Sequence, residues 1–307
     1  MFMALSIQAR GTALATAGIL TLTPDTLLVR LIAADPWLLL FWRGGLMALT
    51  ILIAWWAVTR EPPWRALTRI GRTGWASGMA LGLGSVCFIL SLNYTAVANT
   101  LVIISSGSLF GALLSRAFLG EPVPLRTWAA IGAALAGIAL LVFGGRIFGD
   151  DAAGQTGSRL GDLIALVAAL LMAIHLVILR ASGGRIPSTP VVGVGGLTCC
   201  ITGLAVALGL GLRPLLPDAD VVPLVLVYGL VVLPVSFALI SSAPRYIPAA
   251  EVSLIMLAEA VIGPFWVWLA VDEVPPTATF AGGAVVLTTL VLHGVAGFRA
   301  ERRRRLA

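Results

Sequence analysis

The sequence predicts an all-α integral membrane protein: ten transmembrane helices arranged as two inverted five-helix repeats around a central cavity. Three observations carry that prediction. The 307 residues are 59% hydrophobic and 11% charged, with mean hydropathy +1.02, whereas soluble domains carry about 25% charged residues. Apolar runs of about 20 residues, the length that spans a bilayer, fill the chain and leave only 59–73 and 145–159 as longer polar stretches. Finally, residues 94–140 recur at 246–292 with a constant offset of 152. Tyr94 falls on Tyr246, Ala98 on Ala250, Ile103 on Ile255, Gly111 on Gly263, and the loop Glu121-Pro-Val-Pro124 on Glu273-Val-Pro-Pro276.

The expected spans are 9–32, 36–58, 74–94, 98–119, 124–144, 160–181, 188–212, 221–243, 249–271 and 276–298. The first carries Pro24, which leaves a carbonyl near Leu20–Thr21 without its helical partner and can bend the helix. It is expected to be a retained, full-length span and not a cleaved leader. The second holds Arg43. The third and fourth are rich in glycine (Gly78, Gly82, Gly84; Gly107, Gly111), and spacing by four lets helix backbones approach closely or leaves room for a ligand. The sixth carries His175. The seventh holds Cys199 and Cys200, which with Cys87 read as small apolar filler. The eighth carries Pro234 and Ser236 where the third has Gly82 and Gly84. The ninth follows Pro248 and carries Glu251, whose carboxylate suits the positive end of a helix dipole, and Glu259 near its middle. The tenth runs into Glu301-Arg-Arg-Arg-Arg305, an anchor for an anionic membrane face.

Arginine positions orient the bundle. All 20 basic residues are Arg. Fifteen lie at the N-terminus, in the loops after spans 2, 4, 6 and 8, and at the C-terminus, against four on the opposite face. Positive charge marks the cytoplasmic side, so both termini are expected there, in a bacterial inner membrane. Five spans per half make the second copy enter from the opposite side, with boundaries at 1–148 and 149–307. The halves also match in their early spans: Gly11 with Gly161, Asp25 with His175, Arg30 with Arg180, and Gly44-Gly45-Leu46 with Gly195-Gly196-Leu197.

Two five-helix units, with a small-residue fourth helix ending in Leu119-Gly120-Glu121-Pro-Val-Pro124 and its echo Val271-Asp272-Glu273-Val-Pro275, resemble the EamA-type permeases of the drug/metabolite transporter superfamily. Arg43 matches an Arg common early in the second helix of that family. Glu259 matches a Glu that there often precedes Pro-Val, although Ala260 follows it here. The resemblance implies a secondary transporter working by alternating access. Within the family the chain looks most like the bacterial exporters of aromatic and other neutral amino acids, which implies cargo of that class.

Ionisable side chains at membrane depth usually face a cavity or a partner. The candidate substrate-contacting residues are Glu259, Asp25 and His175, with Thr21, Trp42, Gly82, Ser85, Gly107 and Ser236. Pro24, Pro234, Tyr94 and Tyr246 are candidates for gating. Each has a plainer reading: Glu259 as a partner for Arg43, Asp25 as a partner for Arg30, His175 as hydrogen-bonded packing, and the tyrosines as interfacial anchors. The expected partners are a small metabolite, the bilayer and coupling protons, in a monomer, with no nucleic acid. No phosphate loop, dense His/Cys cluster or nucleophile elbow is present, so neither cofactor, metal nor enzymatic activity is expected. A drug, nucleoside or sugar permease of the same fold is the alternative, ahead of an intramembrane enzyme.

Overall fold

The computed structural model describes residues 7–95, 97–148, 158–213, 215–271 and 277–306. Asp150, Asp151, Asp272, Glu273 and the prolines after Glu273 lie outside them. The described chain is helical: α1 (Ile7–Leu22), α2 (Asp25–Ile32), α3 (Pro36–Thr59), α4 (Pro63–Arg69), α5 (Gly71–Tyr94), α6 (Val97–Ser105), α7 (Gly107–Leu119), α8 (Leu125–Phe148), α9 (Arg159–Ala181), α10 (Ser188–Gly209), α11 (Val222–Val227), α12 (Leu233–Ser242), α13 (Ala249–Met256), α14 (Ala258–Val271) and α15 (Thr277–Leu306). A π-helical turn, Tyr228–Val232, joins α11 to α12.

Among the described residues seven segments are long and apolar enough to cross a membrane: Ile7–Ile32, Pro36–Thr59, Gly71–Tyr94, Thr100–Leu119, Arg159–Ala181, Ser188–Gly209 and Val222–Arg245. Shorter apolar stretches, Leu125–Leu140 and Phe280–Ala296, sit in α8 and α15. Seven of the ten expected spans therefore meet the length and hydropathy requirement. Large apolar side chains such as Ile53, Ile201 and Leu292 are more than half exposed. So much exposed apolar surface suits lipid and not water.

Packing runs between the halves. α3 lies along α10, α5 along α9, α8 along α15, α1 along α12, and α7 against α13. Glycines set the closest approaches. A Cβ on Gly44 would stand 2.7 Å from the Gly196 carbonyl, and one on Gly196 would stand 2.8 Å from the Gly44 carbonyl, so α3 and α10 touch backbone to backbone. Gly120 has φ +63°, a left-handed conformation cheap only for glycine. It ends α7, donating its N–H to Ser115, and turns the chain into Glu121-Pro-Val-Pro124.

Three interruptions shape the interior. At Pro24 the Leu20 carbonyl has no helical N–H to accept. The Thr23 hydroxyl donates to it at 2.8 Å and accepts from Trp266 Nε1 at 2.8 Å, so the break is satisfied locally. Between α6 and α7 the Ser106 N–H reaches back only to Ile103 (3.0 Å). There the hydroxyls of Ser105, Ser106 and Ser108 bond to carbonyls three or four residues back, that of Ser108 reaching from α7 to Ser105 at the end of α6, and such back-bonding bends helices. Between α13 and α14 the Leu257 N–H likewise reaches back only to Leu254 (3.2 Å). These last two breaks fall within one residue of matching positions in the 152-residue echo.

Candidate functional site

A cavity of about 100 Å³ lies among α1, α5, α6, α9, α12 and α13, so both halves contribute to its wall. Leu22, Phe88, Leu101, Ile104, Met172, Phe237 and Met256 make most of it apolar, with hydroxyls from Ser85, Ser105, Ser108 and Ser253. Asp25, Arg43 and Glu259 supply its charge.

Each charged group is held by an identifiable local feature. Asp25 opens α2 immediately after the Pro24 break, in the first turn, where the helix dipole favours a carboxylate. Arg43 projects from α3 and is 2% exposed; its Nη2 lies 3.9 Å from Asp25 Oδ1. Glu259 is in the first turn of α14, just past the Leu257 break, and feels the charges of both Asp25 and Arg43. Tyr228 braces the group from behind: its hydroxyl donates to Asp25 Oδ1, and the Arg43 guanidinium carbon sits 5.1 Å from its ring centroid, a cation–π distance. Arg43 Nη1 has no hydrogen-bond partner although it is buried. Two carboxylates thus face one guanidinium. Such a site can accept one further positive charge and still offers a free N–H donor.

Four of the sequence candidates, Glu259, Asp25, Ser85 and Gly107, meet at this cavity, and five do not. His175 is fully buried between helices: Nδ1 meets Ser77 Oγ and Nε2 meets Ser241 Oγ, both at 2.9 Å, which joins α9 to α5 and α12. Thr21 donates to the Ala17 carbonyl of its own helix at 2.8 Å. Trp42 donates Nε1 to the Leu215 carbonyl at 2.7 Å and pins the chain after α10. Gly82 is covered by α10, where a Cβ would stand 2.5 Å from the Gly195 carbonyl. Ser236 donates to the Val232 carbonyl one turn back.

Of the gating candidates, Pro24 and Pro234 both mark helix interruptions, Pro234 following the π turn. Tyr94 ends α5 half exposed; Tyr246 follows α12 with Arg245 stacked 5.9 Å from its ring. Sequence reasoning missed Tyr228. Its signal was present: of three tyrosines it alone stands mid-span in an aliphatic run, six residues before Pro234.

A second polar cluster closes one end of the bundle. Arg180, at the end of α9, donates Nε to Glu121 Oε1 at 2.7 Å and Nη1 to the Pro244 carbonyl at 3.1 Å. Nearby Arg126 Nη2 lies 4.0 Å from Glu251 Oε1, and Gln8 bonds Glu251. Glu251 therefore belongs to this cluster and not to the cavity wall. The Arg180–Glu121 pair ties the first half of the chain to the second. Among the described residues no group of three His, Cys, Asp or Glu could hold a metal ion.

The EamA-like transporter family matches the sequence twice, over residues 10–143 and 159–294. A solved crystal structure superposes with TM-score 0.74 at 18% identity, over 93% of this chain and 98% of that one. At that identity the likeness concerns the fold. No curated protein matches the sequence.

Proposed function

We propose, since the chain belongs to the EamA-like transporter family, that this multi-pass membrane transporter exports a small zwitterionic metabolite, with aromatic and other neutral amino acids the favoured class. The observation that carries the reading is the cavity between the halves, which sets the charges of Asp25, Arg43 and Glu259 and a few serine hydroxyls in a mostly apolar wall. An ammonium group would sit against the two carboxylates, and an apolar side chain against Phe88, Met172, Phe237 and Met256. The chain would span the membrane ten times as two inverted five-helix halves, with both termini cytoplasmic in a bacterial inner membrane. The interhelical pairings of α3 with α10 and α8 with α15 support that arrangement, because each joins a helix to its echo, and α7 packs on α13 within the span that echoes its own. Rocking of the halves would expose the cavity to either face in turn. A proton taken up by one of the two carboxylates when the ammonium leaves would couple transport to the pH gradient.

Phosphorylated cargo is disfavoured because Arg43, already facing Asp25, is the only basic side chain among those lining the cavity. A neutral drug, nucleoside or sugar would leave the charges without a use. The test is flux of a panel of labelled amino acids into liposomes containing the purified chain, with and without a pH gradient. Flux of aromatic and branched amino acids, abolished in Glu259→Gln, is the expected result. Absence of flux for every amino acid would remove the substrate class, and indifference to the gradient would remove proton coupling.

A further inference from the structure

The apolar wall and the two carboxylates account for the side chain and the ammonium group of the proposed cargo but leave its carboxylate without a partner. The helix break at Pro24 does not provide one, since its orphan carbonyl is an acceptor already satisfied by Thr23. Among the described residues, two cavity-lining side chains carry a buried polar atom without a partner, Ser253 Oγ and Arg43 Nη1, and of these Arg43 alone is charged. Arg43 is 2% exposed, its Nη2 edge faces Asp25 at 3.9 Å, its plane is backed by Tyr228 at 5.1 Å, and its Nη1 makes no hydrogen bond. A buried guanidinium donor normally finds an acceptor. A guanidinium fork is also the side chain best shaped to hold a planar oxyanion.

We propose that Arg43 is the carboxylate seat of this cavity: the cargo's carboxylate binds Nη1 while Asp25 holds the opposite edge and Tyr228 fixes the plane. The inference rests on the zwitterion reading and deepens it. Asp25 and the cargo then share one guanidinium from two sides, so Asp25 serves to aim Arg43 as well as to balance its charge. Tyr228 is a positioning residue, acting through Asp25 and Arg43 and not lining the cavity itself.

The test uses the detergent-solubilised full chain and two probes that differ by the carboxylate alone, L-phenylalanine and phenethylamine, with binding read by calorimetry. The wild type is expected to bind phenylalanine at least about tenfold more tightly than the amine, on the order expected for a charge-assisted bond. In Asp25→Asn/Arg43→Gln, which removes the buried pair together and leaves no lone charge, that preference should fall to roughly twofold or less. Arg43→Lys, which keeps the charge but loses the fork, should give an intermediate ratio and stands in if the double variant does not fold. A wild type that binds the amine as tightly as the amino acid, or variants that keep the full preference, would overturn the proposal. An Arg43-dependent preference without flux in liposomes would leave the seat standing and remove amino-acid transport. Flux with a preference untouched by the variants would do the reverse. A wild type that binds neither probe overturns both.

Discussion

His175 and Asp25 occupy matching places in the two halves, yet they do different work. Asp25 lines the cavity, while both ring nitrogens of His175 are taken by serine hydroxyls from neighbouring helices. His175→Ala should therefore act on stability and not on transport. Ser77 keeps its bond to the residue-175 carbonyl, but stranding Ser241 is expected to cost about 1–3 kcal/mol, seen as a lower thermal-unfolding midpoint in detergent, while the affinity for cargo stays unchanged. A large loss of affinity with an unchanged midpoint would contradict this placement. Tyr228→Phe makes the opposite case. The ring stays under Arg43, so the fold should hold. Loss of the hydroxyl bond to Asp25 should weaken cargo binding by roughly tenfold, about 1.4 kcal/mol, in the range of a hydrogen bond to a charged group. Binding equal to wild type would show that Asp25 needs no brace.

The glycine-rich helices separate by what each glycine faces. A Cβ at Gly82 would collide with the α10 backbone at 2.5 Å, whereas one at Gly107 would meet Ala169 at an ordinary 3.5 Å beside the cavity. Gly82→Leu is thus expected to destabilise the α5–α10 contact by about 1–3 kcal/mol or more, lowering folded yield after extraction. Gly107→Ala should leave the fold intact and reduce flux of the bulkiest amino acids first. If both variants behaved alike, the division between packing and cavity glycines would be wrong. The interrupted helices share one logic. Each break ends one hydrogen-bonded run and begins another beside the cavity, and Asp25 and Glu259 stand in the first turn of the new run. A carboxylate there meets the positive end of a helix dipole, which offsets part of the cost of carrying charge at that depth.

Across the molecule, the Arg180–Glu121 pair joins the halves at one end, with Arg126, Glu251 and Gln8 beside it. If the halves rock, this end must part. Glu121→Gln, which keeps the shape but removes the charge, should weaken closure by about 1–2 kcal/mol. In a cysteine-free background, a thiol at cavity position Ser253→Cys should then react faster with a water-soluble reagent applied from that end. An unchanged reaction rate would mean that the pair does not hold the end shut.

Helical character, membrane residence and twofold construction were legible in the chain, because bilayer thickness and backbone hydrogen bonding impose a length and an apolarity that survive any detail of packing. So were the charged candidates, since an acid amid apolar residues stands out wherever it points. Glu259 and Asp25 stood out that way, and Gly107 through the small-residue pattern of its helix; all three line the cavity. The rest depended on helix rotation and on neighbours distant in sequence. Nothing local distinguishes a histidine facing two serines from one facing a cavity, or a glycine pressed on a backbone from one lining a void. The hydroxyls of Thr21 and Ser236 spend themselves on their own helices. Trp42 reaches a loop 173 residues away, and Tyr228 meets Asp25 across 203 residues. A periodic apolar sequence carries no local record of such pairings, because every face of a membrane helix looks alike until another helix covers it.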